Sequence, residues 1–119
     1  MKKKKSKKSA KTGGIKYDSG KPRVDLVPYE LLEEVGMVMG FGCDKYGEAN
    51  WAKGIHYSRL IAAAERHLGK FKQGIDLDDE TNLSHIAHAA TNLGFLLWMA
   101  KHRPDLDNRW VKNIKKGKK

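Results

Sequence analysis

Glu80, His85, His88 and Asn92 stand in the pattern E-x-x-x-x-H-x-x-H-x-x-x-N. Two histidines three residues apart on a helix can project towards one ion, with Asn92 one turn further on. Imidazole suits transition ions, and a carboxylate adds charge and hard-oxygen affinity. Asp78 and Asp79 come just before this group, and His67 sits on the preceding helical segment, from which it could face the pair. Facing helices are a usual frame for a metal or catalytic site in a bundle. The same spacing also describes a solvated outer face on which both histidines are chemically idle. The H-E-x-x-H zinc signature and the cysteine clusters of structural zinc sites are both missing.

A second group is the run Lys45-Tyr46-Gly47-Glu48-Ala49-Asn50-Trp51-Ala52-Lys53-Gly54. Tyr46 or Trp51 could stack on a nucleotide base, Asn50 offers a donor and an acceptor to a base edge, and Lys45 or Lys53 could meet phosphate. The competing reading is that Trp51 and Tyr46 anchor a loop to the core. A third group is the stripe Arg59, Arg66 and Lys70, which suits phosphate oxygens or simply a solvated face. The chain has no Walker loop, no G-x-G-x-x-G and no G-x-S-x-G elbow, and Cys43 is its single cysteine. Nucleophilic catalysis is therefore poorly supported.

The elements that must hold these groups can be read from periodicity. Tyr17 to Lys21 reads as a turn, and Val24, Leu26 and Val27 as a short extended piece. A first helix is expected over 29–41, with Pro28 at its start, Glu30, Glu33 and Glu34 in its early turns, and Gly40 and Gly42 weakening its end. Its apolar side is Leu31, Leu32, Val35, Val38 and Met39, and Met37 and Met39 are expected in the core. The stretch 42–57 is a long loop of the kind that often carries function. A second helix is expected over 58–73, capped by Ser58 and ended by Gly74, with Leu60, Ala64, Leu68 and Phe71 on its apolar face. After an acidic loop over 75–80, a third helix is expected over 81–101, stopped by Arg103-Pro104. Its apolar face is Leu83, Ala87, Ala90, Leu93, Gly94 and Leu97, with His85, His88 and Asn92 opposite. Phe95, Leu96 and Met99 make its second half apolar nearly all round, which calls for burial within the fold or against another subunit. Trp110 is placed to pin the final segment.

This is an all-α reading: a small bundle of three main helices, a long loop after the first, basic disordered tails, and completion by self-association. The 119 residues suffice for one domain, at 15–111, flanked by a basic arm at 1–14 and a basic tail at 112–119. The formal charge of +10 comes from those ends: residues 1–16 carry eight lysines and residues 112–119 carry five. The middle holds 11 basic residues against all 14 acids, a balance of about −3. That weakens a nucleic-acid-binding domain, which usually carries basic charge on the fold itself. No apolar run reaches membrane-spanning length and no secretory signal is present, so a cytoplasmic protein without a membrane partner is expected. A single cysteine fits a reducing compartment.

Four motifs then stand in one order: D-S-G-K-P-R-V-D-L-V-P (18–28), F-G-C-D-K-Y-G-E-A-N-W-A-K-G (41–54), A-A-A-E-R-H-L (62–68) and E-T-N-L-S-H-I-A-H-A-A-T-N (80–92). Together they resemble the phage dATP/dGTP diphosphohydrolase family in its N-terminal form, over residues 15–100. The resemblance implies a compact, oligomeric α-helical enzyme. It also implies metal-dependent cleavage of a purine deoxynucleoside triphosphate to the monophosphate and pyrophosphate, in phage nucleotide metabolism within the host cytoplasm. MazG-type relatives bind magnesium through E-x-x-E and E-x-x-D pairs on two helices, whereas this chain offers Glu65-Arg66-His67 and His85-x-x-His88 there, with Glu30, Glu33 and Glu34 as possible substitutes. The reading that follows places a divalent ion (manganese, magnesium or a cobalt-like ion) on His67, Glu80, His85 and His88. Glu80 or Asp79 would orient the attacking water. Arg66, Lys45 and Lys53 would neutralise phosphate, Asn50 and Trp51 would hold the purine, and Tyr46 and Asn92 complete the substrate-binding set. Two other functions remain open: a non-catalytic nucleic-acid-binding accessory protein acting through its lysine arms, and a phosphohydrolase of nucleoside monophosphates.

Overall fold

The computed structural model describes residues 10–111. Most of the predicted basic arm and all of the predicted basic tail lie outside them. Three helices carry the fold: α1 (Tyr29–Tyr46), α2 (Tyr57–Lys72) and α3 (His85–His102). The described residues form no strand, only an isolated antiparallel bridge between Leu77 and Ser84. Among the described residues no helix is long and apolar enough to cross a membrane. The all-α class and the count of three main helices follow the sequence reading.

Local chemistry explains where the helices begin and end. Pro28 is extended and sits just outside α1, and Glu30 lies in the first turn, where the helix dipole favours a carboxylate. The helix does not stop at Gly40 or Gly42 but runs on to Tyr46. Its terminus is Gly47, whose φ of 98° no side chain adopts easily and whose N–H bonds the Cys43 carbonyl. The stretch Val24–Leu26 is a 3-10 turn with exposed side chains, not an extended piece.

Helix α2 starts one residue before Ser58, and His56 occupies the cap position. Ser58 is instead bound from a distance. Its N–H donates to Asn108 Oδ1 at 3.0 Å, and Asn108 Nδ2 donates to Ser58 Oγ at 2.9 Å. An orphan donor of the first turn is thus satisfied by the far end of the chain. Gly74, at φ 90°, ends the helix as expected. Helix α3 begins at His85 rather than residue 81, because Ser84 Oγ accepts from the N–H groups of Ile86 and Ala87.

The core lies on the α2–α3 seam and is small. Tyr57, Leu60 and Met99 form its buried centre, with Trp51, Ile55, Phe95 and Trp98 packed around it. The Tyr57 hydroxyl donates to the Met99 carbonyl at 3.2 Å. Gly54 allows the loop to close over this region: at φ 117°, a Cβ there would sit 2.8 Å from Arg103 Nη1 and 3.0 Å from Leu106 Cδ1. The expected apolar face of α3 is corrected here. His85, Ala87, Ala89, Thr91 and Met99 are buried, while Leu93 and Leu97 are 53% and 63% exposed. The second half of α3 is apolar on every side, so periodicity could not choose. The aromatic group of Trp51, Phe95 and Trp98 decides it. Leu68, Phe71, Leu31, Leu32, Met37 and Trp110 are likewise exposed rather than buried. Helix α1 contributes no fully buried side chain and leans on α3.

Candidate functional site

The loop between α2 and α3, residues 73–84, is tightly closed. His85 N–H bonds the Asp76 carbonyl, Asp78 N–H the Leu83 carbonyl, and Asn82 N–H the Asp78 carbonyl, with Asn82 at φ 60°. This closure brings the Asp78 side chain back to the start of α3. Asp78 Oδ2 accepts from Thr81 N–H at 2.9 Å, from Thr81 Oγ1 at 3.0 Å and from Glu80 N–H at 3.2 Å.

Three donors meet at this point. Ligand atoms of His67 on α2, Asp78 in the loop and His85 at the first turn of α3 all lie within 4.8 Å of one another. The Nδ1 atoms of His67 and His85 are 2.8 Å apart. That is the distance of an imidazole–imidazole hydrogen bond. It is also close to the roughly 3 Å expected between two nitrogens bound about 2.1 Å from one ion at a right angle. His88 completes the group from the side: its ring stacks on His67 at 4.5 Å and 11°, and Nε2 lies 2.7 Å from Thr81 Oγ1 and 3.9 Å from Asp78 Oδ2.

The electrostatics keep these donors ready for a cation. Burial lowers the His67 pKa, and His88 and His85 lower it further against the opposing pull of Asp78. Burial also lowers that of His88, although Asp78 raises it. For Asp78, burial alone would raise the pKa, but the Thr81 N–H and hydroxyl, the His88 ring and the Glu80 N–H together hold it below the usual carboxylate range. At neutral pH the result is neutral imidazoles on His67 and His88 beside an ionised Asp78 carboxylate, and a metal requires a deprotonated donor. Two nitrogens and an oxygen suit a transition ion such as manganese, cobalt or zinc better than a site made of oxygens alone.

A pH prediction follows. For both histidines the unfolded chain takes up a proton at about pH 6.5 while the folded chain resists it. Stability is therefore complete above that pH and falls as the pH is lowered through it towards the folded values. Asp78 adds a further loss only in stronger acid, below its ordinary range. In chelator-containing buffer, the urea midpoint should be flat above about pH 7 and decline steadily through pH 6 and 5. A midpoint that rose over that interval would contradict the neutral pair.

The structure divides the sequence-predicted residues into two places. Lys45, at the end of α1, reaches the loop that carries Asp78: its Nζ pairs with Glu80 Oε2 at 2.6 Å and lies 5.2 Å from the Tyr46 ring centroid. Glu80 thus turns its carboxylate to Lys45, and Asp78, outside the predicted ligand set, supplies the oxygen beside His67 and His85. Asp79 is exposed. Asn92 turns its amide back to the His88 carbonyl at 2.9 Å. Arg66 is exposed next to His67 in the chain and makes no hydrogen bond or ion pair among the described residues.

The other place is the turn Asn50–Lys53. Trp51 stacks on Phe95 at 4.6 Å and 12° and meets Trp98 edge-on at 5.0 Å. Its ring is engaged as a core anchor, not presented as a base platform. Phe95 is ten residues beyond His85, about 15 Å along the helix. Asn50, Trp51 and Lys53 are therefore a separate group from the histidines. Glu30, Glu33 and Glu34 lie in the early turns of α1, and none of them joins the His67, Asp78 and His85 group among the described residues. Thr81 was missed altogether. Its signal was the D-x-x-T spacing from Asp78, by which a carboxylate and a hydroxyl close a turn on themselves.

Comparison with known proteins agrees with the four motifs. The family described as dATP/dGTP diphosphohydrolase, N-terminal, matches residues 11–109. A curated dATP/dGTP diphosphohydrolase of Salmonella phage PMBT28 is 44% identical over 96 residues, which are 81% of this chain and 33% of that protein. The chain therefore spans a third of the length of the relative it matches. No solved structure matches it.

Proposed function

We propose, because the chain belongs to the dATP/dGTP diphosphohydrolase family in its N-terminal form, that it hydrolyses a purine deoxynucleoside triphosphate to the monophosphate and pyrophosphate. The observation that carries this is the convergence of His67, Asp78 and His85 donors within 4.8 Å from three separate parts of the chain. These three residues would hold a divalent ion, and His88 and Thr81 would support them. Such an ion, when bound, polarises a phosphoryl oxygen and lowers the pKa of water.

The chain's own residues supply the rest. Lys45 would meet phosphate charge, giving up Glu80 to do so, and Arg66 would add a second cation. Glu80, or Asp79 beside it, would orient the attacking water and take its proton. Oxygen from water joins the α-phosphorus, the bond from that phosphorus to the α–β bridging oxygen breaks, and pyrophosphate leaves with the bridging oxygen. Incubating dGTP, dATP, dCTP and dTTP separately with the protein and manganese tests this. Pyrophosphate and a purine monophosphate are the expected products. Orthophosphate release, or equal rates on all four, would overturn it.

Self-association belongs to the same reading. Ile86, Ala90, Leu93 and Leu97 repeat at spacings of four, three and four along α3, the stripe of a helix that pairs with a like helix. Ile86, Leu93 and Leu97 are exposed. Leu68 of α2 widens the patch into a shallow groove over Ala64, Ala89 and Ala90. On α3 this stripe lies about 170° around the helix from His88, and on α2 Leu68 lies about 100° around from His67. Two copies meeting α3 to α3 across a two-fold axis would cover the patch and leave the histidines accessible. Light scattering should give a dimer or higher assembly for the wild type and a monomer for Leu93→Asp. A monomeric wild type would remove this surface from the account.

A further inference from the structure

Thr81 Oγ1 has one proton and two neighbours competing for it. Asp78 Oδ2 is 3.0 Å away and His88 Nε2 is 2.7 Å away. Leu83 N–H also donates to the same oxygen, at 3.2 Å. If the hydroxyl gave its proton to His88, two oxygens rich in lone pairs would face each other across 3.0 Å, one of them on an ionised carboxylate. An ionised carboxylate can only accept, and a bond to it is the stronger one. The hydroxyl therefore donates to Asp78, and the short contact to His88 must be filled by an N–H on the ring.

We propose that Thr81 is a positioning residue of the metal centre: its hydroxyl donates to Asp78 Oδ2 and accepts from His88 Nε2–H. Two consequences follow. Asp78 Oδ2 is saturated by three donors from its own loop, so Oδ1 is the oxygen turned to an ion held with His67 and His85. His88 is fixed as the Nε2–H tautomer, and its unprotonated nitrogen is Nδ1. The ring so oriented stacks on His67 and restrains that ligand in turn. Neither the ligand spacing nor the family description assigns Thr81 a role, and this inference rests on the metal reading of the site.

The experiment uses the full chain as wild type, Thr81→Val and Thr81→Ser, with cobalt(II) as the probe. Valine keeps the shape and removes the hydroxyl, whereas serine restores it. Thr81→Val should bind cobalt about 10–100-fold more weakly, the usual effect of losing such a supporting partner, and Thr81→Ser should return close to the wild-type affinity. Independently, nitrogen-15 spectra of the metal-free wild type should show His88 protonated at Nε2 and not at Nδ1. Equal cobalt affinity in wild type and Thr81→Val overturns the proposal while leaving the metal centre standing, as does a wild-type His88 protonated at Nδ1. Absence of cobalt binding by the wild type overturns the metal reading and this role with it. A Thr81→Val protein that melts below room temperature leaves the wild-type spectrum and the Thr81→Ser affinity to decide.

Discussion

His85→Ala should abolish measurable manganese and cobalt binding and remove triphosphate hydrolysis, with the helices intact by circular dichroism. His85 is 5% exposed and sits at the first turn of α3, its Nδ1 2.8 Å from that of His67. Ser84 and the closed loop fix the start of the helix and with it the place of this ring. Loss of a supporting partner costs about 10–100-fold in metal affinity, so loss of a ligand outright should exceed that. The informative comparison is between two carboxylates two residues apart. Asp78→Asn should match His85→Ala, since Asp78 faces the histidines. Glu80→Gln should keep the metal affinity and lose turnover, since its carboxylate faces Lys45 and the substrate side. If Glu80→Gln lost the metal and Asp78→Asn kept it, the loop would have to be rearranged in the working enzyme and the ligand set derived from these distances would fall.

That comparison also marks how far the sequence could be read. The three helices, the histidine pair and the motif order were legible because periodicity, capping residues and spacing are local properties. Choosing Asp78 over Glu80 was not legible, because it depends on how a closed loop turns. Asp78 accepts from two backbone N–H groups and the Thr81 hydroxyl, and those bonds aim its carboxylate inward, while Glu80 is left to find Lys45 from a different helix. The start of α3 was misjudged by four residues for a related reason. The acids 78–80 resemble a helix N-terminus by charge, yet Ser84 provides the side-chain cap. The buried side of α3 was illegible because Leu93 and Leu97 are as apolar as Phe95 and Met99. Only the partner surface, Trp51 with Tyr57, separates them. Self-association would give the exposed leucines a reason that a single chain does not contain.

Trp51→Ala distinguishes the two roles a loop tryptophan can have. A ring that served as a base platform would be dispensable for folding, and its loss would raise KM for dGTP without changing Tm. The observed ring instead stacks flat on Phe95, meets Trp98 at 84°, and belongs to the small cluster around Tyr57, Leu60 and Met99. Removing it opens a void beside Phe95 and Trp98 and frees the turn Asn50–Lys53 from α3. Truncation of a buried aromatic costs about 3–5 kcal/mol, and this half-buried ring should sit near about 3 kcal/mol. In a domain of this size each 1 kcal/mol moves Tm by about 4–8 °C, so a fall of more than about 10 °C is expected. Trp51→Phe should recover much of the loss, because a phenyl ring can still stack on Phe95. The histidine centre lies about 15 Å away along α3, so protein still folded at low temperature should bind cobalt as the wild type does. A raised KM at unchanged Tm would return Trp51 to the substrate and leave the anchoring of the loop to Ile55 and Arg103.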